Sequence, residues 1–141
     1  MAEKILIVED NQDIVEFVKE LLQTIGYATI VATDGKQAVD LASEHLPDLI
    51  LMDVVLPEMN GLDAARRIRQ NPQCQSTPIL AMTARVLPKA REQCLQSGCN
   101  DYISKPFSPK QLVSRIQKLL QQAGIPQGGL AAMKIEGPSG S

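Results

Sequence analysis

The chain has no tryptophan, two tyrosines and two phenylalanines, so aromatic residues make up only 3% of its 141 positions. With 44% hydrophobic residues, a core is affordable, but aliphatic side chains must fill it. Positive charge is not in excess: 14 Lys and Arg against 16 Asp and Glu leave a net charge of −2. That excludes the broad basic stripe of a nucleic-acid-binding surface. The short cluster Arg66-Arg67-Ile68-Arg69 reads as a solvated helix face. No apolar run approaches the length of about 18 residues that a membrane span requires. The three cysteines, Cys74, Cys94 and Cys99, form no C-x-x-C pair, and their odd number suits reduced, packed thiols in a cytoplasmic chain. The single histidine, His45, lies near a predicted helix end, where it complements the helix dipole and is not read as a phosphorelay histidine.

What the sequence does have is alternation. Short apolar runs alternate with helical patterns, which predicts an α/β domain. Strands are expected over Lys4–Val8, Tyr27–Val31, Asp48–Met52, Ile79–Met82 and Asp101–Ser104. The intervening helices are expected from Asn11 to Ile25, from Asp34 to His45, up to Gln70, from Pro88 to Gly98, and from Ser108 to Gln122. Asp34 and Gln37 read as one capping box, and Ser108-Pro109-Lys110-Gln111 as a second with proline at the first helical position. Pro72 to Pro78 reads as a connecting loop. Runs that are apolar throughout imply a parallel sheet covered on both faces. Residues 1–122 are therefore expected as one domain. Residues 123–141, rich in Gly and Pro, are expected as a flexible tail, its last residues resembling a vector-derived remnant.

Polar residues punctuate the ends of the buried runs. Glu9 and Asp10 follow the first, Asp53 the third, Thr83 the fourth, and Lys105 the fifth. In a doubly wound parallel sheet the carboxyl ends of the strands share one edge, where ligands bind. Three carboxylates, a hydroxyl and an ammonium would then converge. Three acids in one place repel unless a counter-charge is present. Mg²⁺ suits such an all-oxygen set. Asp53 can then act as an oxygen nucleophile toward a phosphoryl group, with Lys105 and Thr83 neutralising and positioning it.

These residues carry a family resemblance. Ile7-Val8-Glu9-Asp10-Asn11, Leu51-Met52-Asp53-Val54-Val55-Leu56-Pro57-Glu58-Met59-Asn60-Gly61, Met82-Thr83-Ala84 and Asp101-Tyr102-Ile103-Ser104-Lys105-Pro106-Phe107 together resemble the receiver domain of two-component response regulators. The resemblance covers about Lys4 to Leu120. It implies a flavodoxin-like fold with strand order 2-1-3-4-5, an order named for a chemotaxis receiver as a standard example, and a cis bond before Pro106. It further implies that Asp53 is the phosphoacceptor. Glu9 and Asp10, with Asp53 and the backbone carbonyl of Val55, would hold Mg²⁺. Thr83 and Tyr102 would be the switch pair, and Lys105 the phosphate-binding lysine. The donor would be a histidine kinase or phosphotransfer protein. Output to a downstream protein would use the face formed by the fourth helix, fifth strand and fifth helix.

Further expectations concern individual positions. Val55 and Arg85, each two residues past a key residue, would tune the lifetime of the adduct. Apolar residues of the first helix span an arc wider than a core face needs, so Val15 and Leu22 at its edge are expected to form an exposed fringe that docks a phosphodonor helix bundle, the alternative being a deeply packed helix. The Arg91, Asp101 and Arg115 set matches a symmetric dimer face seen in relatives, but Ser97, Gln111 and Gln122 replace charged partners. A monomer or weak dimer is expected, without direct nucleic-acid or membrane binding. The chain would catalyse its own phosphotransfer and dephosphorylation and would not be a turnover enzyme. An aspartate-nucleophile phosphatase would need an acid at Val55. A phosphate-independent interaction module on the same fold is the alternative, since a fold does not by itself give a function.

Overall fold

The computed structural model describes residues 3–84 and 89–124. The strands are β1 (Lys4–Val8), β2 (Ala28–Ala32), β3 (Leu49–Asp53), β4 (Ile79–Thr83) and β5 (Asp101–Ser104). The helices are α1 (Gln12–Thr24), α2 (Gly35–His45), α3 (Gly61–Gln70), α4 (Ala90–Gln96) and α5 (Pro109–Gln122). The strands form one sheet in the order β2-β1-β3-β4-β5, and every pair is parallel. The expected flavodoxin-like topology is therefore present.

Side-chain alternation divides the core into two layers. Ile5, Ile7, Leu49, Leu51, Leu80, Met82 and Ile103 pack with α1 and α5. Leu6, Val8, Ile50, Met52, Ile79 and Ala81 pack with α2, α3 and α4. This double cover explains why β3 and β4 are buried along their whole length. The outer strands β2 and β5 are only partly buried, so their sequences punctuate less sharply. Accordingly β2 begins at Ala28 and ends at Ala32, one residue beyond each expected bound.

Local signals set the helix starts. Asn11 caps α1 by accepting from the Asp13 and Ile14 amides. Ser108 and Gln111 form the expected reciprocal box on α5. At α2, Asp34 accepts from the Gln37 amide at 2.8 Å, but Gln37 reaches past the cap to the Thr33 amide, also at 2.8 Å. Helix α4 has no side-chain cap, and its expected start at Pro88 lies outside the described residues. Within the α3–β4 connection, Pro72–Cys74 forms a short 3-10 turn capped by Asn71. The Lys105–Pro106 bond is cis, as the resemblance implied.

Arg69 departs from its expected role. Its Nε donates to the Gly98 carbonyl at 2.9 Å, Nη1 to the Cys74 carbonyl at 2.8 Å, and Nη2 to Asn100 Oδ1 at 2.8 Å. Asn100 Oδ1 in turn accepts from the Ile79 amide. Arg69 is thus a half-buried strut joining α3 to the entrances of β4 and β5, while Arg66 and Arg67 do face solvent. All three cysteines are buried and free, as expected.

Candidate functional site

The carboxyl ends of β1, β3, β4 and β5 bring Glu9, Asp10, Asp53, Thr83 and Lys105 to one edge. Register accounts for this: Val8 lies beside Met52, Asp53 beside Met82, and Thr83 beside Ser104. Residues separated by 96 positions meet directly, with Lys105 Nζ 2.6 Å from Glu9 Oε1. The same ammonium is 3.3 Å from Asp53 Oδ2. Glu9, Asp10 and Asp53 each offer a carboxylate oxygen within 4.8 Å of the others. Glu9 and Asp53 are buried and Asp10 is exposed, so two acids are held in the fold and one faces the opening.

The fold fixes the buried acids through their neighbours. The Glu9 amide donates to the Ala32 carbonyl. Glu9 Oε2 accepts from the Asn11 amide at 3.2 Å. Asn11 thus joins α1 to the acid pair, a second use of the residue beyond capping. Asp53 Oδ1 accepts from the Val55 amide at 3.1 Å. The loop after β3 is closed by a bond from the Gly61 amide to the Val54 carbonyl at 2.9 Å. A Cβ at residue 61 would overlap the Asp53 carbonyl oxygen, so the close return of this loop requires glycine.

Burial pushes the Glu9 carboxyl above its ordinary value, and the nearby Asp53 reinforces the shift. The Lys105 ammonium and the Asn11 amide pull in the opposite direction. Desolvation dominates because an ionised carboxylate loses more hydration than one ammonium restores. Among the described residues, three carboxylates face a single ammonium, a poor charge balance for a closed structure. The deficit, the all-oxygen donor set and the partial exposure of the cluster fit a divalent cation of the Mg²⁺ type.

The remaining expected positions fall around this cluster. Thr83 is buried, and its carbonyl accepts from the Lys105 amide at 2.7 Å. Tyr102 is half-buried against the α4 side of the sheet. Val55 is 55% exposed and lies outside the core. Arg85 lies outside the described residues. The expected fringe on α1 is corrected: Val15 is 5% exposed and Leu22 is fully buried, so neither forms an exposed fringe, and Leu22 packs with the strands in the core. The apolar side chains that α1 does present beside the site are the exposed Phe17 and the partly buried Ile14. With Ala84, Lys105, Pro106 and Phe107 they line an apolar groove of about 370 Å³ beside the acid cluster. The apolar arc was readable in the sequence, but not which part of it meets the sheet.

The family model of the response regulator receiver domain matches residues 5–117. The chain belongs to that family. This receiver domain is 38% identical over 123 residues to the polar-differentiation response regulator DivK of Brucella anthropi, covering 87% of the chain and all of the relative. Among solved structures it resembles the receiver domain of sensor histidine kinase PA1611 from Pseudomonas aeruginosa PAO1, at 39% identity and a TM-score of 0.76. That match covers 88% of this chain and 99% of the other, whose structure has a magnesium ion coordinated in the active-site cleft. It also resembles the chemotaxis protein CheY4 of Vibrio cholerae, with 31% identity and a TM-score of 0.81 over 84% of this chain and 99% of the other. Receiver domains are phosphoacceptors that act between histidine kinases and downstream targets. No helix among the described residues is long and apolar enough to cross a membrane.

Proposed function

We propose that this receiver is a phosphorylation-dependent signalling switch that accepts a phosphoryl group on Asp53 from a phosphohistidine of a kinase or phosphotransfer protein. One observation supports this most strongly: the buried Asp53 carboxylate lies 3.3 Å from the Lys105 ammonium, within a cluster of three acids. In the transfer, an Asp53 oxygen bonds to phosphorus as the donor's P–N bond breaks, and the electron pair returns to the imidazole. In the reverse half of the cycle, a water oxygen attacks phosphorus and Asp53 leaves as carboxylate. Little covalent help is needed, and positioning and charge neutralisation do most of the work.

Glu9, Asp10, Asp53 and the Val55 carbonyl would hold Mg²⁺, which when bound supplies charge neutralisation for the incoming phosphoryl oxygens. Lys105 supplies a point charge to the same oxygens. The Thr83 hydroxyl donates to one of them, and Tyr102 follows into the space that Thr83 vacates. This alters the face formed by α4, β5 and α5. Hydrogen bonds to charged groups contribute roughly 1.5–3 kcal/mol each. Two of them approach the ~5.5 kcal/mol that inverts a 1:99 equilibrium. Exposed Val55 borders the path of attacking water and, with Arg85 (outside the described residues), sets the adduct lifetime. The donor protein docks in the apolar groove of Ile14, Phe17, Pro106 and Phe107, which abuts Lys105. Residues 1–122 form the signalling unit; the expected tail lies, from residue 125 onward, outside the described residues.

Incubation with Mg²⁺ and acetyl phosphate distinguishes the readings. A stoichiometric adduct that decays slowly supports the switch. Sustained release of phosphate would make the protein a phosphatase. No adduct would leave a phosphate-independent interaction module.

A further inference from the structure

Another groove, about 610 Å³, lies between α4 and α5 over the edge strand β5. Its ionisable walls are unequal. Arg91 comes from α4, and Arg115 and Lys118 from α5, against a single acid, Asp101. That acid already has a partner, since Arg115 Nη1 is 3.1 Å from Asp101 Oδ2. The groove is therefore net positive on a chain whose net charge is −2. Gln111, Arg115 and Lys118 are spaced four and three apart, so they share one solvent-facing stripe of α5. Arg91 faces solvent from the opposite wall.

The floor of the groove is blunted against strand addition at Tyr102. At Tyr102 the backbone N–H donates to Asp101 Oδ1 at 2.8 Å, and the carbonyl accepts from Arg115 Nη1 at 2.9 Å. The edge is thus blunted by the protein's own side chains. A partner on this face must be read through side chains and not by pairing with β5. A second copy is a poor occupant. Its same face would offer the three cations only Asp101, which Arg115 already pairs, and Ser97, where a charged partner would be expected, is buried with its hydroxyl bonded to the Gln93 carbonyl.

We propose that this groove docks an acidic segment of a partner protein, whose carboxylates engage Arg91 and Lys118 across the cleft. The inference rests on the switch reading only in taking this face as the output surface. The test is titration of ¹⁵N-labelled protein with hexaglutamate, with hexalysine as control. The expected result is amide shifts at Ser104, Gln111, Ser114 and Lys118, absent with hexalysine. Affinity falls at least about tenfold in the Arg91→Glu/Lys118→Glu double variant and is unchanged in Arg66→Glu/Arg67→Glu. Fluorine NMR of the beryllofluoride adduct, run on the same samples, reads Asp53 separately. An intact adduct with hexaglutamate unbound, bound at the α3 arginines, or bound equally by the charge-reversed groove overturns the acidic-partner inference alone. Loss of the adduct in wild type would overturn the switch reading instead, because peptide binding is scored without it.

Discussion

At the scale of single residues, the acid cluster combines groups that the fold keeps dry with one that it leaves wet. Glu9 and Asp53 are buried, Asp10 is exposed, and Lys105 bridges the two buried acids. Thr83 ends the neighbouring strand β4, and in the proposed switch its hydroxyl would donate to the phosphoryl group only after transfer. A Thr83→Ala variant is expected to take up phosphate while losing the adduct-induced shifts at Tyr102, read by NMR. Wild-type shifts in that variant would uncouple the pair. A second residue-scale prediction concerns the thiols. Burial pushes the Cys99 thiol up to about 12. A raised thiol is protonated, and so poorly nucleophilic, at neutral and mildly alkaline pH. Cys99 is expected to resist iodoacetamide in the folded protein and to react in urea, as read by peptide mass mapping.

At the scale of elements, backbone closeness holds the site edge in place, and polar ties brace the opposite end of the sheet. Gly61 returns the β3–α3 loop against the Asp53 carbonyl, with no room for a Cβ. Gly61→Ala is expected to lose at least about 2 kcal/mol of stability by denaturant unfolding and to lose the adduct as well. Arg69 satisfies two carbonyls and the Asn100 side chain from a half-buried position. Arg69→Ala leaves those acceptors without it and is expected to cost roughly 1–3 kcal/mol in the same experiment. The elements themselves were largely legible in the sequence, because buried parallel strands are apolar runs and their polar ends stand out. Asp53 and Thr83 were legible for that reason, and Ser108 because its cap chemistry is local. Arg69 was not legible, since its three acceptors come from distant segments and its neighbours Arg66 and Arg67 are indeed solvated. Val15 and Leu22 were misplaced because a helical wheel gives the width of an apolar arc but not its orientation on the sheet. The 3-10 turn after α3 was missed because Pro72 reads equally well as a plain loop.

At the scale of the whole molecule, the receiver separates its chemistry from its surfaces. The acid cluster occupies the carboxyl edge of the sheet. An apolar groove beside Lys105 flanks it on the α1 side, and a basic groove lies over β5. The apolar groove predicts a division between protein and small-molecule donors. Phe17→Glu is expected to slow phosphotransfer from the cognate histidine donor by about tenfold or more, while labelling by acetyl phosphate stays at the wild-type rate. Equal slowing with both donors would place Phe17 in the chemistry and not in docking. The central claim is that one carboxylate oxygen, on Asp53, becomes covalently and reversibly bonded to phosphorus. Borohydride reduction of the phosphorylated protein, followed by peptide sequencing, tests it most directly, because an acyl phosphate is converted to homoserine where it stood. The account predicts homoserine at position 53 in the Mg²⁺- and acetyl-phosphate-treated protein, and none in Asp53→Asn. Homoserine at another position, or undiminished label in Asp53→Asn, would contradict it.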